Sequence, residues 1–100
     1  MVTPKVPAAD HTLRILRLLA SSRGPPAASM IAGQLDLPRS TVYHLLDTLQ
    51  EHGFVMHLPA ERRFGLGIAA VELRSAYERP EPLARIGRPL LAALPDRLRP

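Results

Sequence analysis

The sequence predicts a mainly α-helical domain that carries one small β-hairpin. Apolar residues recur with helical spacing in three segments, and the pattern then changes to the alternation that is typical of strands. Prolines and glycines separate these segments. The order helix, short helix, tight turn, helix and hairpin is that of a winged helix-turn-helix, a three-helix core plus a wing, which we expect to be followed by linker helices.

The first helix is predicted over residues 11–22, after a tail over residues 1–9 that we expect to be disordered. Asp10 suits the N-cap because its carboxylate accepts hydrogen bonds from the free N–H groups of the first turn. Gly24 and two following prolines end the helix. Its apolar stripe is predicted to contain Leu13, Leu16, Leu19 and Ala20, widened by Ile15 and Leu18.

The second helix is short and intrinsically weak, and it is predicted over residues 28–35. Gly33 in its interior costs about 1 kcal/mol relative to alanine. The inner face is predicted to contain Ile31, Ala32 and Leu35. A tight turn follows, in which Asp36 tolerates the left-handed backbone that such turns need. Pro38 suits the first position of the next helix.

The third helix, residues 38–53, has two very different faces. Its apolar stripe is formed by Val42, Leu45, Leu46 and Leu49. Its polar face is formed by Ser40, Tyr43, His44, Asp47 and Glu51. The first turn offers the hydrogen-bond donors Arg39, Ser40 and Thr41, where the backbone N–H groups also point outward. Donors at the start of a helix that is buried on its opposite side are what a reader of the DNA major groove needs.

After Gly53, which ends the third helix, a β-hairpin is predicted over residues 54–66. The first strand alternates, so that Phe54, Met56 and Leu58 share one face. Residues 59–62 form the turn, and Gly67 ends the second strand. A fourth helix is predicted over residues 68–79, where Ala69, Leu73, Ala76 and Tyr77 lie on one side.

Prolines divide the remainder of the chain. A fifth helix is predicted over residues 83–94, with Pro89 as a kink. The winged helix-turn-helix domain therefore spans residues 10–67, the linker helices span residues 68–94, and residues 95–100 are a ragged end.

Several short motifs stand out together: Leu13 to Leu19, Ile31-Ala32, Leu35 to Thr41, Gly53 to Val55 and Phe64 to Gly67. In this order they resemble the N-terminal domain of IclR-type bacterial transcriptional regulators. The resemblance implies a dimeric, sequence-specific DNA-binding regulator, a repressor or an activator, that recognises a pseudo-palindromic operator. It implies that the third helix enters the major groove and that the hairpin lies along the backbone or minor groove.

The resemblance also implies roles for individual residues. Arg39, Ser40 and Thr41 are expected to contact phosphates and nearby bases, and Tyr43 and His44 to face the groove floor. Arg62 and Arg63 are the expected contacts of the wing. Structural alternatives stay open: the two hydroxyl groups also suit local capping, Tyr43 also suits packing on the second helix, and the wing arginines also suit an ordinary hairpin turn.

Members of this family normally continue into a larger C-terminal domain that binds a small effector. The chain ends where that domain is expected to begin, so it is a fragment or a natural short form, and we expect no effector site in it. The leucines of the first helix and the apolar side of the fourth exceed the needs of a small core. They predict a homodimer through the first helix and the linker helix.

The composition adds a basic character and excludes several classes. Arginine and lysine total 13 against 9 acidic residues, a net charge of +4, which suits a polyanionic partner. No cysteine and no close histidine pair is present, so neither a metal site nor a cofactor is predicted. No catalytic motif was found, and an enzyme is not predicted. Neither a signal peptide nor a membrane span is predicted, and we expect a cytoplasmic protein.

One alternative function remains from the residues alone. Some winged helices bind proteins, and the polar face of the third helix carries the acids Asp47 and Glu51 beside its donors. A protein-interaction or dimerisation module without direct DNA reading is therefore the second hypothesis.

Overall fold

The computed structural model of the protein describes residues 3–79, and its elements follow the predicted order. They are α1 (Pro7–Ser21), α2 (Ala28–Leu35), α3 (Arg39–Glu51), β1 (Val55–Leu58), β2 (Arg63–Leu66) and α4 (Ile68–Glu78). The mainly helical fold with a two-stranded antiparallel hairpin is confirmed. The predicted fifth helix and the ragged end lie outside the described residues.

Helix α1 begins earlier than the sequence predicted. Pro7 is its first residue, and the backbone N–H of Asp10 donates to the carbonyl of Val6 at 3.0 Å. Asp10 therefore lies in the first turn and is not the N-cap. Proline suits the first helical position because its φ is preset and the N–H that it lacks has no helical acceptor there. The prediction of a disordered tail is wrong for residues 7–9.

The buried face of α1 agrees with the predicted stripe in part, since Leu16 and Leu18 pack against the core beside Ile15 and Leu19. Ile15 and Leu19 are buried, whereas Leu13 is 61% exposed and Ala20 is exposed. Helical spacing alone did not decide which of the six predicted apolar residues face the core, because together they cover more than one face of the helix. Packing against α2 and α3 selects the Ile15 side.

The core lies where the three helices and the base of the hairpin meet. Its buried members are Ile15, Leu19, Ala28, Ile31, Ala32, Val42, Leu46, Leu49, Val55 and Phe64. No polar or charged residue among the described ones is buried with them. The predicted inner face of α2 is confirmed at Ile31 and Ala32, and Leu35 packs against the edge of this core.

The turn between α2 and α3 has the left-handed residue that was predicted. Asp36 has φ 55°, and the N–H of Leu37 donates to the carbonyl of Ala32 at 3.0 Å, which closes α2. Pro38 is extended, with ψ 145°, and occupies the N-cap position of α3, so it is not the first helical residue. The turn fixes the direction in which α3 leaves α2.

Helix α3 ends in a Schellman motif at Gly53. The N–H of Gly53 donates to Gln50 at 3.0 Å, and the N–H of Phe54 donates to Leu49 at 2.9 Å. Gly53 has φ 79°, a conformation that glycine adopts without steric cost. Because Val55 opens β1 directly afterwards, this motif sets the wing at a fixed angle to α3.

The hairpin is in the register Val55↔Leu66 and His57↔Phe64. Val55 and Phe64 face the core, while Met56 is 50% exposed on the other face. The predicted apolar face of Phe54, Met56 and Leu58 is not the buried one, because Val55 is buried and Met56 faces outward. Val55 faces inward because the Schellman motif starts the strand one residue after Phe54.

Residues 71–79 belong to a second unit, which contains most of α4. Within it, Arg74 and Glu78 form an exposed ion pair of 2.9 Å, one helical turn apart. Leu73 and Tyr77 of the predicted apolar side are 61% and 50% exposed. None of the helices in residues 3–79 combines the length and the hydrophobicity that crossing a bilayer requires.

Candidate nucleic-acid interface

Helix α3 exposes the polar face that the sequence predicted. Ser40, His44, Asp47 and Glu51 are exposed, and the opposite stripe of Val42, Leu46 and Leu49 is buried. Arg39 is exposed at the start of the helix, and Thr41 is half-buried at its side. The donors therefore point to solvent from a helix that the core holds rigidly.

The charged residues at the two ends of α3 have the signs that the helix dipole disfavours. Arg39 lies at the N-terminal end, where the dipole is positive, and no acidic residue lies in the first turn. Glu51 lies at the C-terminal end, where the dipole is negative. Each placement lowers the stability of the isolated helix. The result is a surface with positive potential at the beginning of α3 and negative potential at its end.

The start of α3 also leaves its backbone donors free for a ligand. The first N–H groups of a helix have no intrahelical acceptor. Pro38, at the N-cap position, has no side-chain oxygen, and no side-chain cap is present there. These N–H groups lie beside the hydroxyl of Ser40 and the guanidinium of Arg39. Together they can donate to a phosphate oxygen.

Tyr43 lies between α3 and the wing. Its ring is 48% exposed, and its centroid lies 6.5 Å from that of Phe64 in an edge-to-face arrangement. The alternative that Tyr43 packs against α2 stays open beside this contact with Phe64. The ring thus contacts the wing, while the residue as a whole stays half-exposed.

His57 extends this aromatic contact on the wing, and the sequence analysis did not select it. Its ring stacks on Phe64 at 4.7 Å with an interplanar angle of 23°. Tyr43, Phe64 and His57 thus form an aromatic cluster that joins α3 to both strands. The cross-strand pairing of His57 with Phe64 is the signal that could have found it, but that register is known only once the turn is placed.

The two arginines at the wing turn have different surroundings. Arg62 is exposed and has φ 53°, the left-handed region that arginine rarely adopts. Arg63 begins β2, and its Nη1 donates to the carbonyl of Pro25 at 2.9 Å. Next to it, the N–H of Phe64 donates to the carbonyl of Pro26 at 2.9 Å. The loop between α1 and α2 therefore binds the free edge of β2.

This loop contact was not visible in the sequence. Pro25 and Pro26 marked the end of the first helix, and nothing in their pattern paired them with a strand 38 residues away. Within residues 3–79, no group of three or more His, Cys, Asp or Glu side chains is placed to hold a metal ion.

The family model for the IclR helix-turn-helix domain matches residues 8–59, which include α1, α2, the turn, α3 and β1. The chain belongs to the IclR family. This membership confirms the predicted class, a DNA-binding domain of a transcriptional regulator, over the protein-interaction alternative.

Curated IclR-family proteins match almost the whole chain. The acetate operon repressor of Salmonella typhimurium is 32% identical over 93 residues, which are 93% of this chain and 34% of that protein. The transcriptional repressor IclR of Escherichia coli is 32% identical over 92 residues, 92% of this chain and 34% of that protein. The chain spans about a third of the length of these relatives.

Solved structures agree with the fold. An IclR transcriptional regulator from Alicyclobacillus acidocaldarius superposes with a TM-score of 0.67 at 30% identity, over 70% of this chain and 28% of that one. The Agobacterium tumefaciens repressor BlcR gives a TM-score of 0.67 at 27% identity, over 75% of this chain and 30% of that one. The named relatives are regulators and not enzymes.

Proposed function

We propose that this IclR-family domain binds double-stranded DNA with α3 in the major groove and the β1–β2 hairpin along the backbone or minor groove. The observation that carries the proposal is the arrangement of α3. Its N-terminal turn exposes donors, its acids lie toward the other end, and its opposite face is buried in the core. A helix in this arrangement approaches a polyanion with its N-terminus first.

Within this interface the residues divide by the chemistry they offer. Arg39, Ser40 and Thr41, with the free N–H groups beside them, are placed to bind phosphate and set the register. His44 follows Ser40 by one helical turn on the same exposed face and is the candidate base reader. Tyr43 contributes its exposed surface, and the wing contributes Arg62, with Arg63 beside it at the start of β2.

A homodimer on a pseudo-palindromic operator is the second part of the proposal. Val6 and Leu13 are 62% and 61% exposed on and beside α1, an arrangement that suits burial against a second copy. The exposed Leu73 and Tyr77 of α4 suit the same purpose. In a symmetric dimer the two α3 helices would read half-sites about one helical turn apart. Binding to chromosomal DNA would place the protein in the bacterial cytoplasm, where it would repress or activate transcription.

The test is selection of bound sequences from a random duplex pool, followed by fluorescence anisotropy with the full chain. An enriched pseudo-palindrome and an affinity that falls steeply with salt are expected. Arg39→Ala and the double change Ser40→Ala with Thr41→Ala should each cost about 1–3 kcal/mol of binding free energy.

Glu51→Gln is the matched control, because it removes a charge from the other end of the same helix. It should leave the affinity unchanged or raise it, since it takes a negative charge away from the DNA. Unchanged affinity in both N-terminal variants would remove α3 from the interface. Absence of salt-dependent binding to any duplex would favour the protein-interaction alternative.

A further inference from the structure

The two adjacent arginines of the wing, Arg62 and Arg63, have different environments. We propose that Arg63 is a positioning residue that holds the wing against the α1–α2 loop, and that Arg62 is the phosphate ligand of the wing. This division rests on the proposed DNA-binding function and assigns the roles within it. Sequence alone makes the two residues equivalent, since they are neighbours with the same side chain.

Arg63 is engaged within the protein. Its guanidinium donates to Pro25, and the next backbone N–H, that of Phe64, donates to Pro26, both at 2.9 Å. Two consecutive donors of β2 thus meet two consecutive carbonyl groups of the loop. Prolines have no N–H to donate in return, so both of these hydrogen bonds run from β2 to the loop.

The α1–α2 loop, which accepts these two hydrogen bonds, is conformationally restrained. Pro26 is fully buried, and the ring of each proline presets its own φ. A bond from Arg63 to this loop therefore restrains the strand and not the loop. The same strand carries Phe64, which contacts Tyr43 of α3, so the restraint sets where the wing lies relative to α3.

Arg62 has the opposite character. Its side chain makes no hydrogen bond or ion pair within the described residues 3–79, and it is exposed at the turn. The turn is closed by the N–H of Glu61 to Leu58 at 3.2 Å and by the N–H of Arg62 to Pro59 at 3.3 Å. Its φ of 53° is a conformation that glycine would adopt without strain. A strained arginine at an exposed tip points to a use for its side chain outside the folded chain.

The salt dependence of DNA binding separates the two roles. Each phosphate that a protein neutralises contributes about 0.9 to the slope of log K against log salt concentration. With the full chain on a duplex of arbitrary sequence, Arg62→Ala should reduce this slope by about 0.9 for each protomer bound. Arg63→Ala removes the same charge, yet it should keep the slope and lower the affinity several-fold at every salt concentration.

A second measurement needs no DNA. Hydrogen exchange at the Phe64 amide in the free protein should become faster in Arg63→Ala, because the base of the wing loosens, and should be unchanged in Arg62→Ala. Binding is compared well below the unfolding temperature of each variant, so that a loss of affinity reports on the placement of the wing and not on unfolding.

A reduced slope in Arg63→Ala together with unchanged exchange at Phe64 would overturn the positioning role. An unchanged slope in Arg62→Ala would overturn its assignment as phosphate ligand. If the wild-type chain shows no salt-dependent binding to duplex DNA, the proposed function itself fails, and the exchange experiment still decides whether Arg63 anchors the wing.

Discussion

Helix α3 and the wing, which consists of β1, β2 and their turn, are held in place by different means. Helix α3 buries Val42, Leu46 and Leu49 along one face, so the core fixes it along its length. The wing buries Val55 and Phe64 and otherwise depends on aromatic contacts and on bonds to loop carbonyl groups. A change behind α3 therefore affects the whole domain, whereas a change on the exposed face of the wing affects chiefly the wing.

The two regions share one feature despite this difference. Each carries an arginine in a locally unfavourable position, Arg39 at the positive end of the α3 dipole and Arg62 in a left-handed turn. In the free protein both residues lower stability. A DNA phosphate would offset the unfavourable charge of Arg39, and it would give the exposed side chain of Arg62 a binding partner. The proposed interface thus lowers the stability of the free domain in both regions.

The largest effect is expected behind α3. Leu46 is fully buried, and Leu46→Ala should lower the free energy of unfolding by about 2–5 kcal/mol, because the lost burial is joined by a cavity. Urea unfolding monitored by circular dichroism measures it. Met56→Ala on the exposed face of the wing should change the same quantity by no more than about 0.5 kcal/mol. Equal losses in the two variants would contradict the contrast between the regions.

The next effect concerns the junction of α3 and the wing. A Cβ at Gly67 would collide with the carbonyl oxygen of Gly53, so Gly67→Ala should destabilise the domain by about 1–3 kcal/mol. Gly33→Ala is the matched control, because nothing lies within 4 Å of the added Cβ on α2. It should stabilise by about 0.5–1 kcal/mol. Thermal unfolding of both variants measures the opposite signs, and equal signs would show that the junction is not tightly packed.

A smaller effect is expected at the tip of the wing. Arg62→Gly should stabilise the free protein by about 0.5–1 kcal/mol, because the left-handed penalty of about 1–2 kcal/mol exceeds the extra backbone entropy of glycine. The same variant should bind DNA more weakly. Arg63→Gly should instead destabilise the protein, since it removes the bond to Pro25 and places glycine in a strand. Chemical denaturation and anisotropy together test the pair, and stabilisation by both changes would refute the distinction.

The smallest effect is expected at the start of α3. Arg39→Ala should stabilise the free protein by about 0.3–1 kcal/mol at low salt, because it removes a cation from the positive end of the dipole. Unfolding experiments at low and high salt check it, since screening should shrink the gain. Glu51→Gln, which removes the disfavoured charge at the other end, should give a gain of similar size. A loss of stability in Arg39→Ala at low salt would mean that the dipole is not the governing effect.

Much of the fold was predictable from local patterns. The bounds of α2, the hairpin strands and the left-handed residue at Asp36 follow from spacing and turn chemistry, which act over a few residues. The exposed polar face of α3 follows from helical periodicity. The start of α1 at Pro7 was missed because prolines near a terminus suit a tail as well as a first helical turn.

The sequence by itself determined which segments are helical, where the chain turns and which residue types meet at the start of α3, because these depend on near neighbours along the chain. Only the tertiary structure decided that Ile15 and not Leu13 faces the core, that His57 stacks on Phe64, and that Arg63 binds Pro25. Those outcomes depend on segments far apart in sequence, whose relative position is set by packing of the whole domain. Arg62 and Arg63, which are adjacent and have the same side chain, therefore have different surroundings.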